Sequence, residues 1–459
     1  MANNKKRIVI IGGCAAGPKC AAKSRRMDPD TEINLYTKSD VISYSACGIP
    51  YYVSGDVKKI EDLIVRTPED FAKVGVNVHV SHACRKINPA KKSVIIHNDI
   101  DNTETTVEYD ELVIATGALA VIPKIPGIGL RNIFHLRMLS DGIKVKEAMN
   151  RSKHALILGA GYISIELLEA FTKNNLKVTT VERSPQILPN FDPDIAKYIE
   201  NEVVNATTSN VTLHKNDEIV EFIGENGVFK GARTKKGVEI YADFCLISAG
   251  VIPNVELAKE AGIEIGVTGA IRVDRHMKTN IPNIWAAGDC TEKFCMITKE
   301  PQYISLGSIA NKEGRVCAIN LNDGYEEFEG ILGSAVAKYH DYTIAITGMT
   351  EKAARATKGL DVVSILITDA DKAGYMPEMK EITLKLVGDR KSRKILGAQA
   401  IGKGDADKRV NSVTAAIQTK MNIDEFVSLD LTYSPAFSTA IDPLLAAAAM
   451  LKDKMDRLI

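Results

Sequence analysis

Residues 154–183, HALILGAGYISIELLEAFTKNNLKVTTVER, predict a β-strand, a glycine-rich turn, an α-helix and a second β-strand, in that order. An apolar run leads into Gly159, apolar residues then recur at helical spacing, and a β-branched run ends at Glu182. A strand–helix–strand unit of this kind places two parallel strands side by side. The stretch therefore predicts an α/β fold with a parallel sheet.

The glycine spacing in this stretch is typical of dinucleotide-binding turns. Gly159 and Gly161 fill the first two positions of the pattern G-x-G-x-x-G, Ser164 stands at the third, and Glu182 follows Gly161 by 21 residues. Glycine allows the backbone to approach a pyrophosphate, and the acid at the strand end accepts hydrogen bonds from a ribose 2′-hydroxyl. Because a carboxylate repels a 2′-phosphate, Glu182 favours NADH over NADPH, with NADPH kept as an alternative because Arg183 is adjacent.

The same order of elements occurs near the N-terminus, in RIVIIGGCAAG at residues 7–17 and EINLYTKS at residues 32–39. Gly12 and Gly17 occupy the outer positions of the glycine pattern, but Cys14 replaces the middle glycine. Thr37 stands where an acid usually holds the adenosine ribose, and its hydroxyl forms a weaker hydrogen bond than a carboxylate. A tight turn without a ligand is the alternative interpretation of this motif taken alone.

The remaining pattern divides the chain into three domains. A strand that ends at Thr116 and Gly117 leads into a crossover rich in proline and glycine, so we predict a boundary near residue 118. From about residue 326 the pattern changes to alternating strands and a late helix from Val410, which is typical of an α+β domain. The predicted domains are residues 1–118 with 253–325, residues 119–252, and residues 326–459.

Composition narrows the class of partner. Lysine plus arginine and aspartate plus glutamate both total 58, so no net charge attracts nucleic acid or an anionic membrane. The apolar runs are too short to span a bilayer, and the N-terminal one reads as a first strand rather than a signal peptide. Eight cysteines without regular spacing indicate thiols in a reducing compartment, and we expect a cytoplasmic protein. We expect no metal site, since Cys290 and Cys295 lack further ligands.

Five motifs together resemble the pyridine nucleotide-disulfide oxidoreductases. They are VIIGGCAAG (9–17), VIATGA (113–118), ILGAGYISIE (157–166), ISAGVIPN (247–254) and NIWAAGDC (283–290). The resemblance implies that the first glycine turn holds FAD, that the second holds NAD(P)H, and that the C-terminal domain forms a homodimer. It also implies an FAD ribityl contact for Asp289.

The cofactor-binding residues that the resemblance implies lie in these motifs and at the ends of the strands. They are Gly12, Cys14, Ala15, Ala16, Gly17, Thr37, Lys38, Thr116, Gly117, Gly159, Gly161, Tyr162, Ile163, Glu166, Glu182, Gly250, Gly288 and Asp289.

A lone cysteine, Cys47 in SYSACGIPYY (43–52), resembles the single-cysteine branch of that family. That branch contains coenzyme A disulfide reductases, persulfide reductases, NADH oxidases and NADH peroxidases. Cys47 would act as the redox cysteine, with Ser43 in the same catalytic segment. A place at the first turn of a short helix is expected to lower the pKa of its thiol.

The first glycine turn distinguishes among these activities. Oxidases and peroxidases of the branch carry a histidine where this chain has Ala15, so the sequence is more similar to the coenzyme A disulfide and persulfide reductases. Those enzymes also place two tyrosines of the partner subunit at the substrate, which implies Tyr375 and Tyr433 here. Lys23 and Arg26 lie on one helix face with Lys19, and Arg26 matches an arginine that meets the nucleotide phosphates in the coenzyme A enzymes, so Lys23 and Arg26 are candidate substrate-binding residues. A solvated basic face is the alternative interpretation.

The leading hypothesis is therefore an FAD enzyme that uses NAD(P)H to reduce a small disulfide, persulfide or polysulfide at Cys47. Coenzyme A is a candidate substrate or ligand, although Ala46 replaces an asparagine that is common before the family's cysteine. NADH oxidase activity is one alternative. A flavoprotein that passes electrons to a protein partner is the other. We expect no sulfurtransferase domain of the kind that some relatives carry.

Overall fold

The computed structural model describes residues 5–205 and 210–457, and for residues 203–205 it describes the backbone only. Within them lie twelve α-helices: α1 (Ala16–Met27), α2 (Ile49–Ser54), α3 (Pro68–Ala72), α4 (Leu139–Asn150), α5 (Tyr162–Lys173), α6 (Pro193–Asn205), α7 (Glu256–Glu260), α8 (Gly307–Leu321), α9 (Glu351–Ala356), α10 (Ala406–Gln418), α11 (Ile423–Val427) and α12 (Pro443–Arg457).

The same residues form twenty-five β-strands: β1 (Arg7–Ile11), β2 (Glu32–Tyr36), β3 (Asn77–His79), β4 (His82–Asn88), β5 (Ser93–Asn98), β6 (Thr103–Glu108), β7 (Glu111–Ile114), β8 (Ala118–Ala120), β9 (Ile133–His135), β10 (His154–Leu158), β11 (Lys177–Glu182), β12 (Val211–Lys215), β13 (Ile219–Glu225), β14 (Val228–Thr234), β15 (Glu239–Tyr241), β16 (Phe244–Ile247), β17 (Val251–Pro253), β18 (Ile284–Ala286), β19 (Lys293–Phe294), β20 (Pro301–Gln302), β21 (Ala335–Tyr339), β22 (Tyr342–Gly348), β23 (Val362–Ala370), β24 (Glu381–Asp389) and β25 (Lys394–Gly402).

Two compact units divide the chain. The first comprises Met1–Val121, Arg137–Ile143 and Gly250–Ile331, and the second comprises Ile122–Leu136, Lys144–Ala249 and Leu332–Ile459. This clustering groups the predicted second and third domains together, and the three-domain boundaries stay a prediction.

The first unit is built on a parallel sheet in the order β18-β7-β1-β2-β3. Its central strand β1 is apolar and almost wholly buried, as expected for a strand covered on both faces. Helix α1 packs closely on α8. The contact requires glycine at position 314, because a Cβ there would lie only 2.4 Å from the carbonyl oxygen of Ala16. An antiparallel sheet, β4-β5-β6, completes the main strands of this unit.

The second unit contains another parallel sheet, β12-β11-β10-β16-β9, and an antiparallel sheet, β21-β22-β25-β24-β23. The two parallel sheets and the C-terminal α+β region confirm the predicted fold class. Strands β22 to β25 lie where the alternating pattern predicts them. Helix α10 was wrongly predicted to begin at Val410: it begins at Ala406, directly after the connection 403–405, and buries both Ala406 and Arg409. Among the described residues, no helix has the length and apolar character needed to cross a bilayer.

Candidate functional site

The first glycine turn closes tightly onto two neighbouring strands. Gly12 has φ +120°, and a Cβ there would lie 2.0 Å from the carbonyl oxygen of Ala115, just beyond β7. Its N–H donates to the carbonyl of Tyr36 at the end of β2, at 2.8 Å. A Cβ at Gly17 would in turn meet the Gly12 carbonyl oxygen at 2.0 Å. Both positions therefore require glycine, whatever the turn binds.

The helices that follow the two glycine turns begin without a side-chain cap. Helix α1 has Ala15 at its N-cap and α5 has Gly161, and neither carries an acidic residue in its first turn. By contrast, Thr67 caps α3 and Asn422 caps α11 through capping boxes. Uncapped N–H groups at a helix N-terminus suit phosphate oxygens. Both turns therefore fit the pyrophosphate of a dinucleotide.

Cys47 lies on a segment that is fastened to the first glycine turn. The N–H of Ser43, which has φ +50°, donates to the carbonyl of Gly13 at 2.7 Å, and the thiol of Cys14 donates to the carbonyl of Tyr44 at 3.6 Å. A short 3₁₀ turn, Ala46–Gly48, then leads directly into α2. Cys47 is exposed on this turn. The cysteine segment therefore lies beside the turn in which FAD would be held.

Cys14 differs from Cys47 in its environment. It is half-buried, and burial raises the pKa of its thiol to about 11, with the guanidinium of Arg137 opposing the shift. The neighbouring Cys47 contributes a smaller upward shift, so the two thiols lie within electrostatic range of each other. Cys14 is therefore a neutral thiol near pH 7.

The turn after β18 presents Asp289, the predicted ribityl contact. Gly288 has φ +92°, and the Asp289 carboxylate accepts a hydrogen bond from the guanidinium of Arg137 at 2.7 Å. Arg137 is fixed by a second hydrogen bond, to the carbonyl of Ala118 at 3.1 Å. The hydroxyl of Tyr303 donates to the Asp289 carbonyl at 3.0 Å. Sequence reasoning missed Arg137, which lies 152 positions from Asp289 in no recognised motif.

Most other predicted residues of the first unit lie at the carboxyl edge of its parallel sheet, whereas Gly250 directly precedes β17. Thr37 is buried after β2 with its N–H donating to the carbonyl of His79 at 3.0 Å, while Lys38 is exposed. Thr116 and Gly117 follow β7, and the Thr116 hydroxyl donates to the carbonyl of Asn254 at 2.7 Å. The Gly250 carbonyl accepts the N–H of Val121 at 3.0 Å.

The second glycine turn is closed by the acid predicted to bind the ribose. A Cβ at Gly159, whose φ is +98°, would lie 2.3 Å from the carbonyl oxygen of Ser248. The Glu182 carboxylate accepts the N–H of Ala160 at 2.8 Å and that of Ser184 at 2.7 Å. Since a carboxylate offers about four acceptor positions, these two bonds leave room for a ribose hydroxyl. Glu182 thus also holds the turn.

The first half of α5 carries the remaining predicted nucleotide residues, Tyr162, Ile163 and Glu166. Burial raises the pKa of Glu166 to about 7, and the nearby Glu169 adds to the shift. The ring of Tyr162 packs edge-on against Phe191 with centroids 6.0 Å apart, and burial raises the pKa of its phenol.

The predicted substrate residues lie on two elements. Lys23 is half-buried and Arg26 is exposed on α1 in the first unit. Tyr375 and Tyr433 are both exposed in the C-terminal part of the second unit. Within one chain, the two tyrosines and Cys47 therefore belong to different units.

Comparison with known proteins places these features in a family. The family model described as pyridine nucleotide-disulphide oxidoreductase matches residues 6–314, and the model of its dimerisation domain matches residues 334–444. An NAD(P)H sulfur oxidoreductase (CoA-dependent) of Pyrococcus furiosus is 35% identical, over 98% of this chain and 99% of the relative. An NADH oxidase of Methanocaldococcus jannaschii is 35% identical, over 96% of this chain and 98% of the relative. The solved structure of a NAD-dependent persulfide reductase from A. fulgidus superposes with a TM-score of 0.94 at 34% identity, covering 99% of this chain and 84% of that one.

Proposed function

Because the chain belongs to the pyridine nucleotide-disulphide oxidoreductase family, we propose that it reduces a low-molecular-weight disulfide, persulfide or polysulfide at Cys47. It is an NAD(P)H-dependent FAD oxidoreductase. The observation that carries the substrate class is the exposed Cys47 on a segment hydrogen-bonded to the first glycine turn, beside a second thiol, Cys14, whose pKa is raised.

Sulfur chemistry at Cys47 requires one attack and one reductive release. The Cys47 thiolate attacks one sulfur of R–S–S–R′, forms a mixed disulfide with R and expels R′ as a thiolate. Two electrons then cleave that mixed disulfide, which releases R as a thiolate and restores Cys47. FAD supplies the two-electron link between the nicotinamide and this sulfur. A tyrosine hydroxyl, from Tyr433 or Tyr375, would protonate the departing thiolate.

Steady-state NADH oxidation tests the proposal. We expect turnover with at least one substrate in a panel of small disulfides, persulfides and polysulfides. Cys47→Ser should remove this turnover, whereas the matched variant Cys84→Ser should retain it, because Cys84 lies on β4, outside both glycine turns and the cysteine segment. Turnover that survives in Cys47→Ser would contradict the proposal and favour electron transfer to a protein partner.

NADH oxidase activity is the second candidate, because a relative of equal identity carries that name. Ala15 argues against it, since it supplies no acid–base group beside the cysteine segment. Oxygen consumption at a rate comparable to sulfur reduction would make the oxidase the better assignment.

Coenzyme A is the substrate group that we propose first, because the Pyrococcus furiosus relative is named CoA-dependent. Lys23 and Arg26 lie one turn apart on α1 and offer two cations to nucleotide phosphates. Replacing both by glutamine should raise KM about tenfold for a coenzyme A disulfide or persulfide. The double variant should leave KM unchanged for a disulfide without phosphates. The control Lys312→Gln, on α8, should leave KM unchanged for both kinds of substrate.

We also propose that two copies associate through the C-terminal region. Phe437 is 76% exposed and Ile441 is 67% exposed, close in sequence to the exposed Tyr433. Single exposed apolar side chains are common, but several that lie close together, as here, are typical of a contact surface. We propose that Tyr375 and Tyr433 of one chain then reach Cys47 of the other, the arrangement that the family resemblance implies.

A further inference from the structure

A buried ion pair lies beneath the turn that carries Asp289. The ammonium of Lys293 is 3.5 Å from a carboxylate oxygen of Glu313, and the two side chains are only 1% and 0% exposed. Lys293 begins β19, whereas Glu313 lies in the middle of α8. Charges this deeply buried are costly, so the pair needs an explanation beyond general stability.

Both members of the pair bind the backbone of the turn. Glu313 accepts the N–H of Gly288 at 2.6 Å and the hydroxyl of Thr291 at 3.0 Å. Lys293 donates to the carbonyls of Gly288 and Thr291, at 2.7 and 2.8 Å, and to the Thr291 hydroxyl oxygen at 2.9 Å. Glu313 and Lys293 therefore hold the N–H and the carbonyl of Gly288, the residue directly before Asp289.

The same elements set the distance from the turn to the start of α1. A Cβ at Gly288 would lie 3.0 Å from the Cβ of Ala16, and one at Gly314 would lie 2.4 Å from the Ala16 carbonyl oxygen. Since Gly314 follows Glu313, the residue that binds the turn also lies where α8 approaches the first turn of α1. The uncapped end of α1 and the carboxylate of Asp289 are thereby placed at a fixed separation.

We infer that Lys293 and Glu313 are positioning residues for FAD, which hold the Gly288–Thr291 turn so that Asp289 meets the ribityl chain while α1 meets the pyrophosphate. The inference rests on the proposed function as an FAD enzyme. Both side chains are buried and bind the turn, so their effect on FAD would act through the orientation of the turn. An apolar pair of similar volume would preserve the packing but not that orientation.

The test compares binding of FAD with stability of the apoprotein. Lys293→Met combined with Glu313→Leu removes both charges and leaves no lone buried ion. We expect the melting temperature of the apoprotein to change by only a few degrees, while the dissociation constant for FAD rises at least about tenfold. Titration of apoprotein with FAD, followed by quenching of flavin fluorescence, measures the constant. Binding of NADH to the second glycine turn should be unchanged.

Glu264→Gln is the matched control, because it breaks an exposed ion pair with Arg272 in the same unit. It should bind FAD as the wild type does. If the double variant fails to fold, Thr291→Val decides: it keeps both charges, removes the hydroxyl that links them, and should weaken FAD binding severalfold.

Wild-type FAD affinity in a folded double variant, or in Thr291→Val if only that variant folds, would overturn the inference. That outcome is separate from failure of the proposed function, which would appear as a wild-type protein that binds FAD but reduces no sulfur substrate.

Discussion

Cys47 and Cys14 lie on neighbouring segments but differ in what surrounds their sulfur atoms. Cys47 is exposed on its turn, whereas Cys14 is half-buried and its thiol is directed at the Tyr44 carbonyl. Alkylating reagents attack the thiolate, so both exposure and pKa control the rate. With a pKa of about 11, only about one Cys14 thiol in a thousand is ionised at pH 8.

We therefore expect iodoacetamide at pH 8 to modify Cys47 at least about tenfold faster than Cys14 in the reduced protein. Peptide mass spectrometry over a time course measures both rates in one sample. Cys84 provides an internal control, because burial raises the pKa of its half-buried thiol to about 12. Equal labelling of Cys14 and Cys47 would show that Cys14 is a second reactive thiol.

Glu166 is a second residue whose burial changes the pKa of its side chain. Burial, with Glu169 nearby, raises the pKa of its carboxyl from 4.5 to about 7. The folded protein thus keeps this proton up to about pH 7, whereas the unfolded chain releases it near 4.5. The stability that comes from the bound proton is complete below pH 4.5 and is lost as the pH rises through 7.

Glu166→Gln should remove this pH dependence. Its melting temperature should match that of the wild type near pH 4.5 and exceed it by a few degrees at pH 8. Thermal unfolding across this pH range measures the difference. The control Thr172→Ser on the same helix changes no ionisable group and should differ from the wild type by the same amount at every pH. A constant offset in Glu166→Gln would contradict the raised pKa.

The two glycine turns show that local sequence patterns predict strands, turns and helices better than they predict contacts between distant residues. Strand, glycine turn and helix were predicted in both dinucleotide units, because β-branched runs and glycine spacing are local signals. Pro18 is the third residue of α1, a position whose N–H has no partner within the helix, so a proline is tolerated there. Lys293 and Glu313 lie 20 residues apart, and no local pattern indicates that they pair.

Gly159 and Gly161 separate the needs of the fold from those of the ligand. At Gly159, with φ +98°, a Cβ would lie 2.3 Å from Ser248, whereas at Gly161 it would meet no atom within 4 Å. We expect Gly159→Ala to lower the melting temperature by several degrees, a cost of about 2 kcal/mol or more. Gly161→Ala should leave the melting temperature unchanged and raise KM for NADH, because its new methyl group enters the space that a pyrophosphate would use.

Thermal unfolding and steady-state kinetics on the two variants measure these effects. The reverse pattern, an unstable Gly161→Ala with normal KM, would show that the second turn binds no pyrophosphate. Gly237→Ala is a suitable control for a positive φ, at +83°, in a turn away from both glycine motifs and with open space around the new methyl group.

Across the whole molecule, sequence signals placed each motif but not the contacts between distant segments. Arg137 lies two residues before α4, within the first unit, and donates to Asp289, and no spacing rule predicts that these two residues pair. The exposed apolar side chains of the C-terminal region likewise become interpretable only in three dimensions. They motivate two predictions about assembly.

Phe437→Asp should dissociate the proposed homodimer. A charge on an apolar contact surface must be desolvated without a partner, which costs several kcal/mol per copy. Analytical ultracentrifugation should show a dimer for the wild type and a monomer for the variant. Val267→Asp, at an even more exposed apolar residue of the first unit, is the control and should stay dimeric. A wild-type monomer with full activity would exclude the proposed assembly.

Co-expression of two inactive variants tests whether each site is shared between chains. In a heterodimer of Cys47→Ser with Tyr433→Phe, a shared arrangement joins the intact Cys47 of one chain to the intact Tyr433 of the other. Random pairing gives half heterodimers, each with one restored site, so the preparation should reach about a quarter of the wild-type rate. If each chain supplied both residues to its own site, no heterodimer would hold an intact pair. Activity would then stay at the mean of the two parent variants, and the tyrosine would have to act within its own chain.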